Sequence, residues 1–228
     1  MKNILVVAAH PDDEVLGCGG AIANHACKGD DVFIVITGEG ATSRQAKRDR
    51  IGMKKELSIL KGAAEKSAEI LGAKKVEILN NPDNRLDSMD RIDLIKQIES
   101  TVNKYSPHTV YVHHSGDVNV DHRRLHEAVV TACRPTPQSA VRRLMSFEVA
   151  SSTEWQTPGS SHWFQPNWFI DISRVWEKKR AALEVYASEM RAWPHARSVK
   201  AIEHFVRWRG AQVGCEAAEA FCCLRNIE

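Results

Sequence analysis

Asn3-Ile4-Leu5-Val6-Val7-Ala8-Ala9-His10-Pro11-Asp12-Asp13-Glu14 is the stretch on which the fold turns. Its first half is apolar and β-branched, the pattern of a buried strand. Its second half puts one imidazole and three carboxylates on the loop that leaves the strand's carboxyl end. In open α/β sheets that is where ligands bind. Gly17-Cys18-Gly19-Gly20-Ala21-Ile22-Ala23 then reads as a turn feeding a closely packed helix. Three consecutive acids repel one another and cannot all be buried unpaired. A divalent cation would relieve that repulsion and give His10 a role. Taken alone, the acids also suit an ordinary helix start, where they complement the helix dipole.

The strand-and-helix unit recurs along the chain. Asp31 to Thr37, Lys75 to Leu79 and Thr109 to Val112 read as further strands. The intervening helices are expected over Gln45 to Leu71, with Ile51, Leu57, Leu60, Ala64, Ala68 and Leu71 on its apolar face, and over Arg91 to Tyr105. Gly72 is the expected stop of the first of these. A helix from Arg123 to Cys133 follows the fourth strand. Four alternations with polar loops predict a parallel sheet covered on both faces, its polar loops at one edge. Beyond these, Leu144 to Val149 and Trp168 to Ile172 read as strands, and Arg174 to Met190 and Ser198 to Val213 as helices. No repeat, low-complexity tract or linker interrupts residues 1–228, so one domain is expected.

The composition is that of a globular protein, with 43% hydrophobic and 26% charged residues. A formal net charge of +2 points to neither nucleic acid nor a membrane surface, and no apolar run reaches membrane-span length. Met1-Lys2-Asn3 leads directly into a strand, so no signal peptide and a cytoplasmic location are expected. The six cysteines form no CxxC pair and are read as reduced, buried thiols.

A catalytic zinc takes three protein ligands and keeps a position open. The first loop offers His10 with Asp12 or Asp13; the fourth offers His122, or His113 and His114. A second carboxylate beside the ligand can accept a proton from water. His126, four residues after His122, is more simply a surface neighbour. His113 and His114 lie on opposite faces of a strand. The glycines after Glu14 do not match the dinucleotide fingerprint, and no G-x-S-x-G elbow occurs. Trp155 and Trp163 suit a sugar-stacking wall and, equally, packing or an oligomer contact.

Ala9-His10-Pro11-Asp12-Asp13-Glu14, with Gly38-Glu39 after the second strand and Asp121-His122 after the fourth, resembles the PIG-L (LmbE-like) family of zinc-dependent N-deacetylases. The resemblance extends through Phe147-Glu148-Val149, Ser152-Thr153-Glu154-Trp155, Arg209-Gly210 and Ala218-Glu219-Ala220-Phe221. It implies a Rossmann-like three-layer α/β sandwich with a mostly parallel sheet. It implies His10, Asp13 and His122 as metal ligands and Asp12 as general base. It also implies removal of acetyl groups from amino sugars such as N-acetylglucosamine derivatives, or from related amides, often by trimers or hexamers. Zn2+ is the expected metal, while Fe2+, Co2+ and Mn2+ accept the same donors.

Two positions depart from the family pattern. Many members read H-P-D-H, whose first histidine helps hold the oxyanion; here the string is Asn119-Val120-Asp121-His122. Asn119 can donate a hydrogen bond but cannot act as an acid. Asn119 or His114 is then the candidate oxyanion donor, and His114, His195 or Asp12 the candidate source of the proton for the leaving amine. Lys61 stands where related sequences often carry arginine, and a lysine cannot make the bidentate fork. Glu39, Arg44, Asp83 and Arg85 are candidates for gripping substrate hydroxyls, and Arg197 for an anionic substrate group. Two other readings are a deacylase of another small N-acyl metabolite and a non-catalytic, metal-containing sugar-binding module.

Overall fold

A computed structural model of the chain describes residues 1–157, 159 and 162–228. Among these described residues, seven strands form one sheet: β1 (Asn3–Ala8), β2 (Asp31–Gly38), β3 (Lys75–Asn81), β4 (Thr109–His113), β5 (Arg143–Phe147), β6 (Trp168–Asp171) and β7 (Ala218–Asn226). Six α-helices flank it: α1 (Asp13–Cys27), α2 (Lys54–Leu71), α3 (Arg91–Tyr105), α4 (Val120–Ala132), α5 (Trp176–Val185) and α6 (Val199–Ala211). The strand order is β3-β2-β1-β4-β5-β7-β6. The first five strands in that order run parallel, and β7 is antiparallel to both β5 and β6.

Strand alternation divides the core in two. Ile4, Val6 and Ala8 pack on the face with α1, α2, α5 and α6; Leu5, Val7 and Ala9 pack on the face with α3 and α4. Both faces of β1 are therefore apolar, which is why its sequence is a continuous hydrophobic run. The chain winds outward from β1 to β3, then crosses back to place β4 on the other side of β1. The reversal opens a crevice at the carboxyl ends of β1 and β4, the position where doubly wound sheets bind ligands.

Several expectations need correcting. The Gly17–Gly20 stretch lies inside α1, which kinks at Cys18 (φ −146°, ψ 24°). The close packing does hold: a Cβ on Gly17 would stand 2.2 Å from the Phe147 ring, and one on Gly20 would stand 2.5 Å from Ile172. The helix expected from Gln45 begins only at Lys54. Asp49 Oδ1 accepts from the Ile51 and Gly52 N–H groups, at 3.1 and 2.8 Å, and Arg48 and Arg50 are drawn to Glu39; this competition keeps the segment out of the helix. Ile51, assigned to an apolar face, is 90% exposed. Gly72 ends α2 with φ 79°, as expected. The helix expected over Arg174 to Met190 is shorter at both ends. Of the six free cysteines only Cys18 and Cys133 are buried; Cys27 is exposed. No described helix is long and apolar enough to cross a membrane.

Candidate active site

The turn after β1, the first turn of α1 and the first turn of α4 converge at the crevice. His10 follows β1, Asp13 opens α1, and His122 lies in the first turn of α4. Ligand atoms of these three lie within 4.8 Å of one another. His10 Nδ1 and His122 Nε2 each stand 3.2 Å from Asp13 Oδ2. The α4 start is set locally: Asn119 Oδ1 accepts the Asp121 N–H at 2.8 Å, an N-cap that orients the first turn.

A second set of carboxylates orients the imidazoles. Asp121 Oδ2 stands 3.1 Å from His10 Nε2, and its Oδ1 accepts the Leu86 N–H at 2.9 Å. Asp117 Oδ2 stands 3.1 Å from His122 Nδ1. Asp117 in turn accepts from the Asn119 N–H, the Ser152 hydroxyl and, at 2.6 Å, the Thr153 hydroxyl. Neither His122 nitrogen has a well-angled hydrogen bond among the described residues, although charge partners flank both. Together with His10 and Asp13, this buried imidazole completes a donor set that fits a metal ion. Outer carboxylates on the far ring nitrogens are the usual support of such ligands.

Charge follows the same geometry. Burial disfavours charge on His10, but the hydrogen-bonded Asp121 and Asp13 carboxylates prevail and hold its pKa well above the usual value. His122 behaves likewise: against burial, Asp13 and Asp117 push it up to about 9. Burial would raise Asp13, yet the His122 and His113 rings and the His10 bond hold it well below the carboxylate range. Burial pushes Asp12 well above that range, opposed by Arg197, whose Nη1 donates to Asp12 Oδ2 at 3.1 Å.

Asp12 sits between the metal-ligand candidates with φ 116°, and its carboxylate lines a cavity of about 360 Å³ that also holds His10, Asp13 and His122. Arg44, Asp83, Asn119, Trp155, Glu189 and Arg197 are further parts of its wall. A larger groove, about 650 Å³, lies between α2 and β3, but none of its lining residues is a histidine and none belongs to the ligand set.

The expected site residues divide accordingly. His10, Asp12, Asp13, Asn119, His122, Arg44, Asp83 and Arg197 line the crevice cavity. Asn119 is already committed, to the helix cap and, through Nδ2, to Asn84 Oδ1 at 2.9 Å. His114 does not reach the cavity: it points to the other side of the strand end, bonded to the His162 carbonyl at 2.6 Å and edge-on to Phe164. Glu39 lies outside the cavity wall because Arg48, Arg50 and Thr42 bind its carboxylate. Arg85 does not line it either, and Lys61 faces Glu65 beside the other groove. His126 hydrogen-bonds the His113 carbonyl. His195 touches Trp155 edge-on outside the cavity wall, and Trp163 is not part of that wall.

Sequence reasoning offered His113 only as an alternative ligand and passed over Asp117 and Glu189. His113 is fully buried; its Nε2 accepts the Ala9 N–H at 2.8 Å and its ring stacks on His122 with centroids 3.8 Å apart. Glu189 gave no sequence signal, because Arg44 lies far away in the chain, and Asp117 read as an ordinary loop acid, its hydroxyl partners Ser152 and Thr153 being 35 and 36 residues away. Arg44 Nη2 donates to both Glu189 oxygens at 2.7 Å, across 145 residues.

Comparison with known proteins gives relatives of two kinds, a hydratase and a deacetylase. The chain is 29% identical over 201 residues to the 4-oxalmesaconate hydratase of Pseudomonas putida, covering 85% of this chain and 76% of that one. It is 28% identical over 195 residues to the diacetylchitobiose deacetylase of Thermococcus kodakarensis, covering 83% and 70%. The crystal structure of the Pseudomonas putida 4-carboxy-2-hydroxymuconate hydratase superposes with a TM-score of 0.78 at 25% identity, covering 98% of this chain and 96% of that one. The family described as PIG-L, GlcNAc-PI de-N-acetylase, matches residues 5–133, which run from within β1 through α4 and carry every ligand candidate. With more than half its length matched and the histidine–aspartate cluster assembled at the crevice, the chain belongs to the PIG-L family of N-deacetylases.

Proposed function

We propose that this protein is a zinc-dependent N-deacetylase that hydrolyses the N-acetyl amide of an uncharged amino sugar. The observation that carries the reading is the meeting of His10, Asp13 and His122 in one cavity with an unliganded neighbour, Asp12. Two imidazoles and a carboxylate with an open side match a catalytic zinc site; Fe2+, Co2+ and Mn2+ accept the same donors. Such an ion, when bound, supplies Lewis acidity to water and to the amide carbonyl.

The protein's own groups supply the rest. Asp12 accepts the proton of the attacking water and returns it to the departing nitrogen, so that amide plus water gives acetate plus amine. Arg197 holds the Asp12 carboxylate from one side while its Nε donates to Ser151 Oγ at 2.9 Å. Asp121 and Asp117 keep the two imidazoles turned toward Asp13. Trp155, 56% exposed on the cavity wall, offers a flat apolar face to a sugar ring, and Asp83 an acceptor for its hydroxyls.

The charge of the wall supports a neutral substrate. Its two arginines each already face a carboxylate, Glu189 and Asp12, and Asp13 and Asp83 add further negative charge. A divalent cation would balance these acids without leaving surplus positive charge for a polyanion. The similarity to the hydratase favours a second reading, addition of water to an unsaturated carboxylate; the paired arginines weigh against it.

Acetate release from N-acetylglucosamine and N,N'-diacetylchitobiose tests the proposal. Asp12→Ala is expected to keep metal and to lose roughly 10²–10⁴-fold in turnover. His122→Ala is expected to lose both metal and turnover. Most of the rate surviving in Asp12→Ala would overturn the base assignment. Hydration of an unsaturated tricarboxylate with no acetate release would establish the second reading instead.

A further inference from the structure

Of the three consecutive acids, Asp13 fits a metal ligand and Asp12 a base, which leaves Glu14 without a function. The ordinary account of an acid in a helix's first turn is favourable interaction with the helix dipole at the surface. Glu14 does not fit that account, being only 1% exposed. Its Oε2 turns back to accept the N–H of Asp12 at 3.0 Å. Its Oε1 accepts the hydroxyl of Tyr186, itself fully buried, at 2.5 Å. Tyr186 directly follows α5, 172 residues away, so this contact ties the catalytic turn to a second helix on the same face of the sheet.

Asp12 is the residue that needs such a tie. Its φ of 116° lies in a region that residues with a side chain rarely adopt. Conformations of this kind persist only where their surroundings over-determine them. Its carbonyl is held by the Val15 and Leu16 N–H groups, at 3.0 and 2.9 Å, as the start of α1. The N–H on its other side has one described partner, Glu14.

We propose that Glu14, anchored by Tyr186, is a positioning residue: it pins the left-handed backbone of Asp12, and so aims that carboxylate into the cavity. The inference rests on the assignment of Asp12 as the base. Without the pin, Asp12 relaxes toward negative φ and its side chain leaves the wall. The anchor needs an acceptor facing Asp12 and a polar partner facing the tyrosine. A carboxylate meets both needs, and so does a glutamine, whose oxygen takes the N–H while its amide donates to the phenol oxygen. A leucine of similar size meets neither.

The test compares Glu14→Leu, Glu14→Gln and Tyr186→Phe in the metal-loaded enzyme, on an N-acetylated sugar hydrolysed by the unmodified protein. Glu14→Leu is expected to lower kcat roughly a hundredfold, the cost of a misplaced catalytic group, with KM and metal content within about twofold. Glu14→Gln should restore kcat to within about fivefold, and Tyr186→Phe should fall between the two. Amide hydrogen exchange over residues 9–14, without substrate, gives an independent reading: protection at Asp12 is lost in Glu14→Leu and kept in Glu14→Gln. Unchanged kcat in Glu14→Leu, a loss shared by KM or metal content, or an Asp12 amide still protected in Glu14→Leu overturns the inference. If the unmodified protein hydrolyses no N-acetylated sugar, the functional proposal fails, while the exchange measurement still decides whether the pin exists.

Discussion

Lys179→Met should be among the most destabilising single substitutions in this protein. Helix α1 breaks at Cys18, and the break strands backbone groups in the core. Lys179 Nζ takes the freed Leu16 carbonyl at 2.9 Å, while Glu219 takes the Gly20 and Ala21 N–H groups at 2.8 and 2.7 Å. Lys179 and Glu219 also pair with each other at 2.6 Å, with exposures of 1% and 4%. Removing the ammonium leaves a buried carboxylate without its counter-ion and a buried carbonyl without a donor. Breaking a buried pair in this way costs about 3–5 kcal/mol. With an unfolding entropy of about 2.1 cal/mol/K per residue, that corresponds to a fall in Tm of roughly 6–10 °C for a chain of this length. Calorimetric melts of the metal-free protein would measure it. Lys179→Met combined with Glu219→Gln removes the stranded charge while keeping one acceptor for the helix amides, and should recover more than half the loss. A loss below about 1 kcal/mol in the single variant would refute the reasoning. So would a double variant no more stable than the single one, since the cost would then come from packing rather than charge.

Three further predictions concern the metal ligands and their supports. Asp117→Asn keeps the shape but weakens the orientation of His122, and is expected to lower metal affinity roughly 10–100-fold in chelator competition; unchanged affinity would remove Asp117 from the site. The metal-free protein should lose stability as pH rises from about 6.5 to 9. Burial opposes charge on His122, but Asp13 and Asp117 push its pKa up to about 9. A folded pKa above the unfolded one contributes stability in full below the unfolded value, and that contribution is lost as pH climbs through the folded one. Glu14 acts in the same direction at lower pH, since burial pushes it up to about 7 and the folded state resists its ionisation. Metal affinity should rise across the same window, because the ligand nitrogen must first lose its proton. Denaturant melts of the metal-free protein that stay flat, or strengthen, between pH 6.5 and 9 would contradict this.

The sheet was legible where side-chain period and burial agree. β1 and β2 are apolar on both faces, and their flanking loops carry the turn residues expected of a doubly wound fold. The His10-Pro11-Asp12-Asp13 string and Asp121-His122 stand out in sequence through their resemblance to a family motif; by residue type alone the acids suit an ordinary helix start equally well. What could not be read were contacts made over long separations. β7 carries Glu219 within an otherwise buried stretch, and nothing local announces that Lys179 will neutralise it. Lys179 itself sits in a charged helical segment that reads as a solvated face. Glu39, Arg85 and His114 were placed at the site because polar loop residues at the correct edge look alike in sequence. Glu39 was claimed instead by Arg48 and Arg50, and His114 by the backbone at His162. The segment Gln45–Met53 has enough apolar residues for helical periodicity, but its arginines and Asp49 find partners that the periodicity does not weigh.

The burial of three adjacent acids raises a physical question that the structure answers through direction. Like charges this close would each raise the others' pKa if their carboxylates shared one environment. The backbone prevents that. The positive φ at Asp12 turns its side chain toward Arg197 and the cavity. Asp13, one residue later and already helical, faces the three imidazoles of His10, His113 and His122. Glu14 points into the protein toward Tyr186. One conformational irregularity thus sorts three similar groups into three electrostatic surroundings: a cation, a cluster of imidazoles and a phenol. This accounts for a string of acids that would be a liability in an ordinary helix start.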